Sequence, residues 1–150
     1  MQYAKAAGFE TIAISHSPDK DKMIRELGAD EIVRDGKSLS AAGGADIILS
    51  TSNSTQSMMD SMQGLRPDGR FIVMGAGAEP LSISLTELLF KRIKIIGSQQ
   101  NGPEYLYEAL DYVAQGKVKP IIEAYPLGEA SKAYERVAEG KARFRAVLTM

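Results

Sequence analysis

The sequence contains no cysteine, no tryptophan and a single histidine, His16. Disulfides and thiol nucleophiles are therefore excluded within it. A zinc site built from several Cys or His ligands has no ligands to draw on. Freedom from cysteine fits a reducing compartment, and a cytoplasmic location is expected. No window approaches roughly 18 consecutive apolar residues, so no membrane span is predicted. The first residues are polar and helix-like, which predicts no secretory signal. Lys and Arg total 18 against 19 Asp and Glu, a formal charge of −1. Such a balance gives no electrostatic reason to expect nucleic acid or an acidic membrane surface. A complete G-x-G-x-x-G turn is also missing: Gly75-Ala76-Gly77 has no third glycine at the right spacing. Two further absences matter more. Met1 to Ala7 reads as the end of a helix, and Gly8 stops it. Thr11 to Ser15 then reads as the second strand of a β-α-β unit whose first strand and phosphate-binding turn are not in the sequence.

What is present alternates strand-like with helix-like segments, the pattern of a parallel α/β sheet. After Ser15, Pro18-Asp19 opens a helix reaching Leu27, with Ser17 as N-cap and Gly28 as stop. Glu31 to Val33 reads as an edge strand. Asp46 to Thr51 is nearly all apolar, as in a strand covered on both faces. Asn53 or Ser54 caps a helix carrying Met58, Met59 and Met62, which read as core rather than as a ligand surface. Pro67-Asp68-Gly69 is a turn, and Arg70 to Gly75 the next strand. Leu81 to Ser84 alternates as a short exposed strand. Leu85 to Lys91 is helical, and Ile93 to Ser98 a further strand. Pro103 starts a helix with Tyr105, Leu106, Ala109, Leu110 and Val113 on one face, ended by Gly116. Pro120 to Tyr125 is extended, Glu129 to Ala138 helical, and Ala146 to Thr149 a closing strand.

In an open parallel sheet, ligands sit beyond the carboxyl ends of the strands. Here those ends are Ser15-His16-Ser17, Ser50-Thr51-Ser52-Asn53, Gly75-Ala76-Gly77 and Gly97-Ser98-Gln99. All but His16 are small or polar. Each is also an ordinary turn sequence taken singly; four in succession favour a shared ligand edge. The end of the first strand carries the sharpest chemistry. An acidic residue there would accept hydrogen bonds from the adenosine ribose and select NAD. Ser15 stands instead, with Lys20 and Lys22 following. A hydroxyl and two ammonium groups suit an added 2′-phosphate, whereas Asp19 and Asp21 could cancel both lysines and leave a solvated face. His16 reads as a residue of the adenosine edge or of the solvent face, not as a base. Arg145 precedes the closing strand and could reach a pyrophosphate as a bidentate donor; Arg143 is the neighbouring alternative for a plain surface arginine.

Five segments occur in an order and spacing that closely resemble the cofactor half of medium-chain, zinc-type alcohol dehydrogenases. They are residues 8–14, Glu26-Leu27-Gly28-Ala29-Asp30, Gly116-Lys117-Val118-Lys119-Pro120, Tyr125-Pro126-Leu127 and residues 140–148. The likeness is nearest the NADP-preferring, cinnamyl-alcohol-dehydrogenase-like branch. It implies a Rossmann-type doubly wound parallel sheet over residues 1–150, a partial dinucleotide-binding domain lacking its first strand and glycine-rich turn. It implies hydride transfer between NADP(H) and an alcohol or aldehyde, by a longer parent enzyme whose zinc and catalytic groups belong to a preceding domain. No catalytic or metal residue is expected in this chain. Carried over by position, the resemblance sets Ser15 where NAD-preferring members have Asp and matches Lys20 to a lysine on the adenosine ribose. It matches Gly75, Ala76, Gly97 and Ser98 to backbone that holds the nicotinamide carboxamide; His16, Ser17, Ser50 and Thr51 join the cofactor-binding set as strand-end residues. Arg145 falls on the pyrophosphate. Leu81 to Ser84 and Ile93 to Ile96 match the edge through which family dimers join, so a homo-oligomer is expected.

Other readings stand beside this one. A zinc-free quinone or enone reductase of the same superfamily would share these residues. A non-catalytic nucleotide-binding or dimerisation fragment would bind NADP(H) or self-associate without chemistry. An S-adenosylmethionine-binding fold fits less well, because such sheets usually place an acidic residue where Ser15 stands.

Overall fold

The structure, a computed structural model, describes residues 1–99 and 102–150. The chain divides into two compact units, Met1–Ala109 and Leu110–Met150.

The first unit begins with α1 (Gln2–Ala6), followed by Gly8 at φ 88°. Then come β1 (Ile12–Ile14), a 3₁₀ turn at Pro18–Lys20, α2 (Asp21–Glu26) and β2 (Glu31–Val33). α3 (Gly36–Ala41), β3 (Ala45–Ser50), α4 (Thr55–Met62) and β4 (Leu65–Val73) follow. α5 (Leu85–Phe90) and β5 (Lys94–Gly97) complete the α/β series. Every strand pairing is parallel. Parallel neighbours need crossover connections, and α2, α4 and α5 supply them between paired strands. The sheet is split: β1 pairs with β2, and β3-β4-β5 form a separate group. Among the described residues, β1 and β3 each have a strand neighbour on one side only.

Val33, Leu39, Ile48, Met58, Met62, Leu65, Phe71 and Ile93 form the buried core, with Ile12 and Ile14 of β1 packed against it. Met58 and Met62 are thus core residues, as their helical spacing predicts. Asp30 ties the start of the unit together. Its carboxylate pairs with Lys5 and accepts from the Thr11 amide at 2.9 Å. These partners, Lys5 foremost, lower its pKa.

Three features differ from the sequence-based expectation. α3 falls where no element was assigned. Leu39 is its one large apolar residue, and the helix is started by Asp35, whose side chain accepts from the Ser38 amide at 2.6 Å. The Pro67-Asp68-Gly69 turn lies inside β4 as an irregularity: partners step from Ala45–Leu65 to Ile47–Arg70, and Asp68 adopts φ 64°. The expected edge strand at Leu81 to Ser84 does not form. Its alternation serves another purpose, since Leu81 and Ile83 pack on the core and Ser84 caps α5 through the Glu87 amide at 3.3 Å.

α6 (Pro103–Ala114) contains the boundary between the units, and no residue on it is buried. The second unit continues with β6 (Ile122–Pro126), α7 (Ala130–Ala138) and β7 (Arg145–Thr149). β6 and β7 pair in parallel, with Ile122 opposite Arg145 and Pro126 opposite Thr149.

Candidate functional site

Register alone assembles the first part of the site. Ser50, Val73 and Gly97 are direct partners across β3, β4 and β5, so the three strands end level. The chain beyond each end therefore lies on one edge. The Ser50 carbonyl accepts from the amides of Met74 and Gly75, at 2.9 and 3.1 Å. The Val73 carbonyl accepts from the Ser98 amide at 2.9 Å. Six of the sequence-predicted residues, Ser50, Thr51, Gly75, Ala76, Gly97 and Ser98, are brought together this way. Ser50 is buried, and Thr51, Ala76 and Gly97 are exposed.

The glycines on this edge have different reasons. A Cβ at Gly75 would lie 2.2 Å from the Ser52 carbonyl oxygen, so the loops after β3 and β4 touch through it. A Cβ at Gly97 would meet nothing within 4 Å. Packing among the described residues does not require glycine there.

The second part is the end of β1. Ile14 is level with Val33, and the Ser15 amide donates to the Val33 carbonyl at 3.0 Å. The Ser15 hydroxyl accepts from the Ser17 amide at 3.4 Å. Ser17 holds the cap position of the 3₁₀ turn with an extended backbone, yet its side chain makes no capping bond. His16 and Lys20 are exposed.

Arg34, which the sequence reading passed over, organises this edge. Its Nη1 donates to the Ser15 carbonyl and to Asp21 Oδ1, both at 2.9 Å, and its Nη2 donates to Asp21 Oδ2 at 2.5 Å. The guanidinium hydrogen bonds hold the Asp21 carboxyl below its ordinary pKa. Asp21 is therefore engaged by Arg34, and Lys22 faces Glu26 at 4.0 Å. Applied to β2 as to the other strands, the strand-end rule would have found Arg34, the first residue after Val33.

Arg145 belongs to the second unit, where it opens β7 and is exposed. Among the described residues no hydrogen bond or ion pair falls on its guanidinium. The best-connected acid of that unit is Glu123, another residue the sequence reading missed. Arg136 grips both its oxygens, the longer bond running from Nη2 to Oε1 at 3.1 Å. The Arg143 amide donates to Oε1 at 2.8 Å and the Tyr125 hydroxyl to Oε2 at 3.0 Å. These bonds, with Arg136 first, lower the Glu123 pKa to about 2.

Among the described residues no three His, Cys, Asp or Glu side chains converge. With one histidine and no cysteine in the sequence, this chain does not fit a zinc centre.

The family profile described as "Zinc-binding dehydrogenase" matches residues 1–115. An alcohol dehydrogenase (notN) of Aspergillus sp. (strain MF297-2) is 32% identical over 155 residues, covering 100% of this chain and 45% of that protein. An alcohol dehydrogenase of Geobacillus stearothermophilus is 30% identical, covering 100% of this chain and 46% of its own length. Among solved structures, the alcohol dehydrogenase of the archaeon Aeropyrum pernix superposes with a TM-score of 0.88 at 26% identity, over 99% of this chain and 45% of that one. The chain thus spans less than half the length of these relatives.

Proposed function

Because this chain belongs to the zinc-binding dehydrogenase family, we propose that it is the cofactor-binding part of an NADP(H)-dependent oxidoreductase that interconverts alcohols and aldehydes. The carrying observation is the end of β1. Ser15 occupies the position where a carboxylate would select NAD, and Lys20 stands exposed five residues on while Arg34 occupies Asp21. Ser15, His16, Ser17 and Lys20 are assigned to the phosphorylated adenosine ribose. The level strand ends at Ser50, Thr51, Gly75, Ala76, Gly97 and Ser98 are assigned to the rest of the cofactor bed. The open space around Gly97 supports close approach of a ligand to that backbone. When bound, the nicotinamide exchanges a hydride with the carbinol carbon of the substrate. This chain's residues bind and orient it. Zinc is assigned to the part of the parent enzyme that this chain does not span. The cysteine-free composition supports a cytoplasmic setting.

The test is calorimetric titration of the chain with NADP⁺ and NAD⁺. NADP⁺ is expected to bind more tightly, and Ser15→Asp to reverse the order by roughly tenfold or more, since a carboxylate facing a phosphate replaces attraction with repulsion. Equal affinities in both proteins would refute the proposal.

A second reading, self-association, is favoured by α5. Leu85, Leu89 and Phe90 are 77%, 71% and 76% exposed, and β5, the strand that follows, has a strand neighbour on one side only among the described residues. We assign the homo-oligomer contact to this face.

A further inference from the structure

One guanidinium holds both ends of the loop that leaves β1. The parallel register sets Ile14 level with Val33, so Ser15 and Arg34 leave the two strands side by side. Arg34 Nη1 donates to the Ser15 carbonyl at 2.9 Å, and the same nitrogen reaches Asp21 Oδ1 at 2.9 Å. Nη2 completes a two-point grip on the Asp21 carboxylate at 2.5 Å. Ser15 opens this loop, and Asp21 closes it as the first residue of α2. A planar guanidinium makes such bonds in a fixed fork, which a lysine ammonium lacks. The consequence is electrostatic as well as geometric. Asp21 lies six residues beyond Ser15 in sequence, yet Arg34 draws its carboxylate to within two hydrogen bonds of the β1 exit. The hydrogen bonds from Arg34 lower the Asp21 pKa, so it stays a carboxylate. Asp35, the acid that follows Arg34, is turned instead to the Ser38 amide as the cap of α3. The exit of β1 thus carries one carboxylate near the ribose position, with its charge matched by a guanidinium.

We propose that Arg34 is a specificity-determining residue that acts through Asp21. By matching the carboxylate at the β1 exit, it lets Ser15 and Lys20 receive a phosphorylated ribose beside an acid that would otherwise repel it. This rests on the reading above that the end of β1 meets the adenosine 2′-phosphate. Arg34 itself needs no contact with the ligand. A lone carboxylate a few ångströms from a phosphate repels it, and such like-charge contacts are a means by which a site rejects the wrong partner. NAD carries a hydroxyl in place of that phosphate, and a free carboxylate accepts from a hydroxyl. The Arg34–Asp21 pair therefore sets the choice between the two dinucleotides. Matched, it tolerates the phosphate; unmatched, it favours the hydroxyl.

Titration of the full 150-residue chain with NADP⁺ and NAD⁺ tests this, with melting curves to confirm folding. The readout is the ratio of the two dissociation constants. The dinucleotides differ only at the 2′-phosphate, so a general loosening of the loop weakens both and leaves the ratio unmoved. Arg34→Gln should lower the preference for NADP⁺ roughly tenfold, the effect of one unmatched charge near a phosphate. Adding Asp21→Asn to Arg34→Gln should restore most of it, because the repelling group is gone. Asp21→Asn alone should raise the preference several-fold, since the Arg34 charge is then unmatched. An unchanged ratio in Arg34→Gln would overturn the inference. So would a ratio that stays low in the double variant, because Arg34 would then act by touching the phosphate itself. If Arg34→Gln fails to fold, Asp21→Asn alone decides: an unchanged or lower ratio there rejects the proposal. An unaltered chain that binds both dinucleotides equally would instead remove the 2′-phosphate reading, and this inference with it.

Discussion

Single atoms decide several positions in this chain. The Cβ that Gly75→Ala would add lies 2.2 Å from a backbone oxygen, and backbone does not yield as a flexible side chain does. The substitution should cost about 1–3 kcal/mol by overpacking, read as a lower midpoint in urea. Gly97→Ala meets open space, so its stability should stay within about 0.5 kcal/mol. If the bed assignment holds, however, it should weaken NADP⁺ binding. The pair separates a glycine needed for packing from one left free for a ligand. Phe144→Gly is the converse case. At φ 67° glycine carries no steric penalty, and relief of the strain should stabilise the fold by about 1 kcal/mol or more, seen as a raised melting midpoint. At this scale the sequence was only partly legible. Ser15 and the glycines were readable because strand ends have a fixed role in parallel sheets. Arg34, the first residue after β2, answers to the same rule. Glu123 was not readable, because its importance comes from partners 13 and 20 residues away, which no local pattern encodes.

Elements show the same division. Strands and helices with strong periodicity or clear caps formed within a residue or two of expectation, including β3, α4, β5 and α7. α3 escaped notice because one Leu in six residues makes no amphipathic pattern, and a single Asp cap is enough to start it. Leu81 to Ser84 misled for the opposite reason: alternating burial fits docking on a core as well as a strand ladder. The β6–α7–β7 group carries its own titration. Glu123 is held at about 2 in the folded chain, below its ordinary 4.5. A depressed pKa contributes stability that is fully present above the unfolded value and lost as pH falls through the folded one. The group should therefore loosen between about pH 4.5 and 2. In that window the stability gap between the unaltered chain and Glu123→Gln should close. Circular dichroism melts at stepped pH would read this, and a gap that stays constant down to pH 2 would remove Glu123 as the cause.

The whole chain carries more exposed apolar surface than its core explains. Scattered apolar residues on a surface are ordinary, but grouped ones mark contacts. α5 exposes Leu85, Leu89 and Phe90 on six residues, and β5, which follows it, has one strand edge without a partner among the described residues. A free parallel edge with apolar neighbours invites pairing with another chain. Two copies meeting along β5 would bury that edge, while residues 81–84 form no strand of their own. Leu89→Lys places a charge on the proposed contact at a residue that is 71% exposed and not part of the buried core. It should leave the melting midpoint of dilute chain within a few degrees while shifting the mass measured by light scattering from dimer toward monomer. A second substitution, Ile96→Lys, puts a charge on β5 itself, where Ile96 is 42% exposed, and should shift it likewise. Loss of association in Leu89→Lys but not in Ile96→Lys would place the contact on the helix alone. An unaltered chain that stays monomeric at high micromolar concentration would reject self-association through this face altogether.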